Sequence, residues 1–307
     1  MGEAVALKKI SLASLTAVKR QQMVSQFAQE LSIMIRLRSP RTVAVLGVVT
    51  TDSSFLGLVM EFMPGGSIRE ALDGTAEVEA DLKCLWAADV AQGMQFLYSC
   101  GVQHRDLKSH NCLLTKEARA KVSDFGLSRC DALKTATTLT TKNGDGLSGT
   151  PSFMAPELLK DNVFTEKSDI YSYAMVLWEL FDGGVPWAGH KPLQISFKVV
   201  FEHARPPVPP AMPGPLATVM RRAWANDAAT RPTFADIVRH VRADQASNDE
   251  NRARAASRLT AAAEERRRAA SLAASPPPAP SRARQMEAAR RQRYAEPGTT
   301  PRRPAVE

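Results

Sequence analysis

At 307 residues, 44% hydrophobic and 23% charged, the chain is large enough for a sizeable core and too apolar to be disordered throughout. Its net charge of +8 is uneven, because residues 244–307 hold 13 Arg and no Lys against 8 acidic residues, so most of the basicity belongs to the end of the chain. No apolar run approaches the about 20 residues that cross a bilayer, and Cys84, Cys100, Cys112 and Cys130 form no C-x-x-C pair, which argues against a zinc ribbon or a disulfide framework and fits a reducing interior.

Val5-Ala6-Leu7-Lys8-Lys9-Ile10 reads as a short buried strand. Val24, Phe27, Leu31, Met34 and Ile35 then recur at helical spacing over residues 21–37, leaving Glu30 at the edge of the apolar face. Two β-branched and apolar runs, residues 43–49 and 55–62, flank a polar Thr-Thr-Asp-Ser-Ser turn and predict a hairpin. Pro64-Gly65-Gly66 is a turn signal. Over residues 81–99, Leu82, Trp86, Val90, Met94 and Leu97 define a long amphipathic helix that Gly101 stops. Cys112-Leu113-Leu114 and Lys121-Val122-Ser123 read as short strands around a turn. The richest apolar stretch, residues 170–181, carries Glu179 and is too short to span a membrane, so it is a buried helix. From residue 246 to 273, Ala, Arg and Glu allow a helix with little to bury, and Ser275-Pro276-Pro277-Pro278 breaks it. Arg266-Arg267-Arg268 and Arg290-Arg291 make a basic tail whose only aromatic residue is Tyr294, so nucleic acid is not an expected partner.

The most specific signal is a set of motifs in fixed order. His104-Arg105-Asp106-Leu107-Lys108-Ser109-His110-Asn111 is followed by Asp124-Phe125-Gly126 and then by Ala155-Pro156-Glu157. The set resembles the catalytic half of a eukaryotic protein kinase. The resemblance implies an α+β, two-lobed fold: a small β-rich lobe over residues 1–63, a mainly helical lobe over 64–243, and a basic tail over 244–307. It implies ATP and Mg²⁺ as cofactors and protein substrates as partners. Asp106 would orient the attacking hydroxyl and accept its proton, and Lys108 would place a cation beside the transferring phosphate. Asn111 and Asp124 would hold Mg²⁺, which prefers such oxygen ligands. Lys8 would contact the α- and β-phosphates, supported by an ion pair with Glu30, since Phe27-Ala28-Gln29-Glu30 is similar to the family's F-x-x-E. On the nucleotide side, Met60 would guard the back pocket, backbone groups of Glu61 and Met63 would bond adenine, Leu113 would form its floor and Ala6 part of its roof.

Further implications concern specificity and scaffolding. Lys108 after His-Arg-Asp-Leu, and Gly149-Thr150 ahead of Pro151, are similar to serine/threonine kinases; tyrosine kinases usually carry Ala or Arg where Lys108 stands. The surrounding residues look most like the tyrosine-kinase-like group. Thr150 would line the substrate cleft, Glu157 would pair with Arg231, and Asp169 would accept hydrogen bonds from the backbone of the catalytic loop. Thr135, Thr137, Thr138, Thr140, Thr141 and Ser148 put six hydroxyls between Asp124 and Glu157, and phosphate added there by an upstream activating kinase would find Arg105 as partner. A cytoplasmic location is expected, with the basic tail as a nuclear-import candidate.

One family element is missing from the text. The family's G-x-G-x-x-G-x-V loop should stand about twenty residues before Lys8, and only seven residues stand there. Two expectations follow: an N-terminally incomplete serine/threonine kinase, or a catalytically impaired kinase-like module that binds partners. The joint presence of Lys8, Glu30, Asp106, Asn111 and Asp124 favours the first for the parent protein, with weak or no activity for the chain as written.

Overall fold

The computed structural model describes residues 4–12, 16–50, 55–74, 77–125, 151–242 and 249–274. The chain divides into two compact units, residues 1–264 and 265–307.

The N-terminal part of the first unit is a three-stranded antiparallel sheet with one long helix. β1 (Val5–Ser11), α1 (Ala17–Met34), β2 (Val45–Val49) and β3 (Phe55–Glu61) follow in order, and the strands lie β1-β3-β2. β1 alternates as a half-buried strand must, with Ala6, Lys8 and Ile10 turned inward and Val5, Leu7 and Lys9 outward. Its register sets Ala6 opposite Met60 and Lys8 opposite Leu58. Among the described side chains of α1, Met23, Phe27 and Met34 are buried. Val24 and Ile35, expected on that face, are each 38% exposed. Met23 replaces Val24 because the buried stripe follows i, i+4 from Met23 to Phe27.

A second small sheet, β4 (Gly66–Ser67), β5 (Cys112–Leu114) and β6 (Ala120–Val122), lies in that spatial order. It is embedded among helices: α2 (Ile68–Leu72), α3 (Ala80–Ser99), α4 (Pro156–Asp161), α5 (Glu166–Asp182), α6 (Pro192–Val200), α7 (Gly214–Ala223) and α8 (Phe234–Arg242). Ser67 and Glu70 form a reciprocal capping box that starts α2 immediately after β4. Thr165 and Ser168 do the same for α5, and Gly183 at φ 85° ends it. The core is the α3–α5 contact layer: Leu82, Trp86, Val90, Met94 and Leu97 on α3, and every residue from 170 to 181 on α5, are buried. Trp86 keeps its one polar atom satisfied by donating to the Ala118 carbonyl at 2.7 Å. Helix α9 (Asp249–Ala274) also has something to bury. Ala256, Leu259 and Ala263 are buried, and Thr260 donates to the Lys116 carbonyl at 3.0 Å, so the first compact unit runs on to residue 264.

The two sheets are joined by residues 41–44, which run beside β6. Val43 donates to the Val122 carbonyl and Val122 to the Arg41 carbonyl, each at 2.9 Å. The Arg41 carbonyl also presses onto α3 at Gly93, where a Cβ would stand 2.5 Å from that oxygen and 2.8 Å from Val122 Cγ2. Neither contact is the tip of a flexible side chain. Gly93→Ala should therefore lower stability by about 1–3 kcal/mol in denaturant unfolding, despite the higher helix propensity of alanine.

Candidate active site

A fully buried carboxylate organises the loop that follows α3. Asp169, in the first turn of α5, accepts hydrogen bonds from the His104 amide at 2.8 Å, the Arg105 amide at 2.9 Å and the Tyr98 hydroxyl at 2.6 Å. Burial pushes the Asp169 pKa up, and these donors with His104 pull against it; burial and then Asp169 push the Tyr98 hydroxyl up. Held by both amides, Arg105 sits at φ 69°, a left-handed conformation costly for any residue with a Cβ. Its guanidinium is fixed by Gln103 at 3.0 Å and lies 5.3 Å from the Phe164 ring centroid.

The turn delivers Asp106 to the site with its side chain 38% exposed. The Asp106 amide donates to His104 Nδ1 at 3.3 Å, so His104 must carry its proton on Nε2, which faces the Ser123 carbonyl at 2.8 Å. The imidazole thus couples this loop to the residue that follows β6. Lys108 Nζ lies 2.8 Å from Asp106 Oδ2. Asn111 Nδ2 donates to the Asp106 carbonyl at 2.7 Å and to Oδ2 at 3.1 Å. The amide and hydroxyl of Ser123 both reach the Asn111 carbonyl, at 2.8 and 3.0 Å. Asp106, Lys108 and Asn111 are therefore one bonded cluster, joined through Ser123 to the next residue, Asp124.

Asp124 has φ 60°, and Phe125 beside it is buried. The Asp124 Oδ1 stands 2.7 Å from Lys8 Nζ, which links the first sheet to the segment that follows β6. Glu30, the partner expected for Lys8, lies in α1 with its side chain outside the described atoms; the partner seen is Asp124. Of the residues expected around adenine, Ala6, Met60 and Leu113 are half-buried and Met63 is buried. The Met63 carbonyl accepts from the Gly66 amide at 3.2 Å, which closes the turn after β3. Gly126, Thr150 and the hydroxyl-rich segment from Thr135 to Ser148 lie outside the described residues.

Two neighbours carry no motif signal. Glu179 of α5 is fully buried and paired with Arg69 of α2 at 3.0 Å; Arg69 also bonds the Gly183 and Gly184 carbonyls. Burial pushes the Glu179 carboxyl up, against the pull of Ser109 and Arg69. Ser109 opens the 3-10 turn that ends at Asn111, so this acid stands at the start of the turn that sets Asn111. Burial, then the Lys108 and Arg69 cations, hold the His110 pKa down. Only an acid in an apolar run hinted at Glu179, and nothing local marked Arg69, Tyr98 or Ser123. The three described cysteines are free thiols, and burial pushes the Cys112 thiol up, as suits a packing residue.

A family model for protein tyrosine and serine/threonine kinases matches residues 2–241. This chain belongs to the protein kinase family. The small sheet and α1 are its N-lobe, and the helical body its C-lobe. A probable serine/threonine-protein kinase of Dictyostelium discoideum is 36% identical over 77% of the chain and 25% of its own length. The serine/threonine/tyrosine-protein kinase HT1 of Arabidopsis thaliana is 34% identical over 76% of the chain and 59% of that protein. The serine/threonine-protein kinase CTR1 of the same plant is 38% identical over 70% of the chain and 26% of that protein. The chain thus spans from about a quarter to little more than half of these relatives.

The kinase C-lobe is closed by Glu157 and Arg231. The guanidinium makes two parallel bonds, at 2.8 and 2.9 Å, and Ser168 adds a third to the carboxylate at 2.9 Å. Burial opposes ionisation of Glu157, but Arg231 and Ser168 outweigh it and hold the pKa below its usual value. A carboxylate favoured in this way stabilises the fold fully above its unfolded-state pKa and ceases to do so as pH falls through the lower folded value. The melting-temperature gap between wild type and Glu157→Gln should therefore be wide at neutral pH and narrow in acid. Arg231→Ala, which strands the acid, should cost about 3–5 kcal/mol at neutral pH.

Proposed function

We propose that this chain transfers the γ-phosphoryl group of Mg-ATP to serine or threonine hydroxyls of protein substrates. The observation that carries the reading is the bonded cluster of Asp106, Lys108 and Asn111 joined through Ser123 to the Lys8–Asp124 pair. Phosphoryl transfer asks the protein chiefly for positioning and charge neutralisation. Asp106 Oδ2 takes both the Lys108 and the Asn111 contacts, so Oδ1 is the oxygen that would orient an incoming hydroxyl and accept its proton. Lys108, held against that carboxylate, would face the transferring phosphate.

The residues present suit Mg²⁺. Asn111 directs Nδ2 at Asp106, which leaves its side-chain oxygen as the donor that would hold a cation, and Asp124 engages Lys8 through Oδ1, leaving Oδ2. Both are hard oxygen donors. Bound there, Mg²⁺ would neutralise charge on the phosphate oxygens. Lys8 would add its charge at the α- and β-phosphates, with Glu30 as a second anchor. Ala6, Leu113 and Met60 would enclose adenine, and the backbone of Glu61 and Met63 would bond its edge. Residues 1–63 and 64–243 act in this reading as the two lobes, with 244–307 as tail. Arg105 would receive a phosphate placed on the segment from Thr135 to Ser148 by an upstream activating kinase. No described helix is long and apolar enough to cross a membrane; a cytoplasmic enzyme suits the reading. The serine/threonine preference is supported by Lys108 and by the names of the relatives.

The test is transfer of labelled γ-phosphate from Mg-ATP, followed by identification of the labelled amino acid. Phosphoserine and phosphothreonine are expected. Asp106→Asn should lower kcat by about 10²–10⁴-fold with little change in nucleotide affinity, whereas Lys8→Met should weaken both. Undiminished transfer by Asp106→Asn, or label on tyrosine alone, would overturn the proposal.

A further inference from the structure

In the reading above Glu61 would meet adenine through its backbone, and its side chain is committed elsewhere. Its amide donates to the Ala44 carbonyl at 3.0 Å, and its Oε1 accepts from the Ala44 amide at 2.7 Å. Both carboxylate oxygens also lie 2.8 Å from Lys121 Nζ. Lys121 is the middle residue of β6, directly opposite Leu113 and three residues before Asp124. The side chains are 27% and 17% exposed.

Exposed ion pairs contribute little, because solvent screens them and both side chains must be ordered. This one differs in three respects. Its carboxylate accepts three hydrogen bonds, the pair is largely withdrawn from solvent, and it bridges separate elements. Glu61 belongs to the β1-β3-β2 sheet, and Lys121 to the β4-β5-β6 sheet. The residue expected at the adenine edge is thereby tied to the strand that carries its floor and leads to Asp124.

We propose that Glu61 and Lys121 are positioning residues that set the spacing between the edge and the floor of the adenine slot. The inference rests on the nucleotide-binding reading above and deepens it. Neither side chain touches the nucleotide; the pair acts through the Glu61 backbone and through Leu113. Losing it should loosen the adenine end and leave the phosphate end, held by Lys8 and Asp124, in place.

The experiment compares Lys121→Met, Lys121→Arg, Glu61→Gln and the double variant Glu61→Gln with Lys121→Met in the full chain. Calorimetry measures binding of adenosine, Mg-ADP and Mg-tripolyphosphate, and hydrogen exchange follows the Glu61 and Val122 amides. Lys121→Met should weaken adenosine and Mg-ADP alike by about tenfold and leave tripolyphosphate unchanged. Lys121→Arg should restore most of the loss, and the double variant should be no worse than Lys121→Met. Exchange at both amides should quicken. Unchanged adenosine affinity with a lowered melting temperature would reduce the pair to a structural contact and overturn the proposal. If the wild-type chain bound neither adenosine nor Mg-ADP, the nucleotide reading itself would fail. Exchange rates at Glu61 and Val122 unmoved by Lys121→Met would separately refute the clamp.

Discussion

The loop from His104 to Asn111 depends on one carboxylate that water does not reach. Asp169 is buried at the start of α5 and is tolerable there only because two backbone amides and the Tyr98 hydroxyl converge on it. Those bonds hold the loop in a turn that strains Arg105, and the turn is what presents Asp106. Everything further along follows in series. The Asp106 amide orients His104, His104 meets Ser123, Ser123 holds Asn111, and the next residue is Asp124. A displacement at Asp169 would be felt at each of these five positions, of which His104 alone bonds its side chain, through the backbone amide.

Buried arginine–carboxylate links recur wherever segments distant in sequence must be fixed. Asp89 of α3 holds Arg119 through two bonds and Arg41 at 2.9 Å, and also accepts from the Ala120 amide. Its bond to Asp89 raises the Arg119 pKa, while burial lowers that of Arg41. Arg69 with Glu179 ties α2 to the end of α5, and Arg231 with Glu157 ties the start of α4 to the segment before α8. Replacing such a pair by apolar residues is often neutral, but removing one partner is not. They define which segments meet more than they add to stability. The apolar α3–α5 layer supplies the burial that makes the unit fold at all.

Much of this was readable before any coordinates. The strand at residues 5–10, the hairpin and the long helix stopped by Gly101 stand where the apolar pattern put them, although that strand is half-buried rather than buried, and the helix at 170–181 is buried all round, as its unbroken apolar run implied. The bidentate Glu157–Arg231 pair and the amides on Asp169 matched what the motif order implied. Less legible was the face of α1. Val24 and Met23 are both apolar, and only the packing of Met23 with the core decides between them. The arginine- and alanine-rich helix likewise carries too little apolar character to announce that Ala256, Leu259 and Ala263 bury themselves; small side chains let a helix approach closely without a strong hydrophobic signature.

By itself the sequence determined the chemistry available: which acids, amides and cations belong to one family constellation, and in what order. That information is local, carried by residue type and spacing. Only the tertiary structure decided which atoms face one another. It set Lys8 on Asp124, put the His104 ring against the Ser123 carbonyl, put Glu179 beside Ser109, and set the Glu61 side chain on Lys121. These pairings join residues that are far apart in the chain. Their geometry comes from how two sheets and a helical core pack together, and spacing along the sequence contains no measure of that.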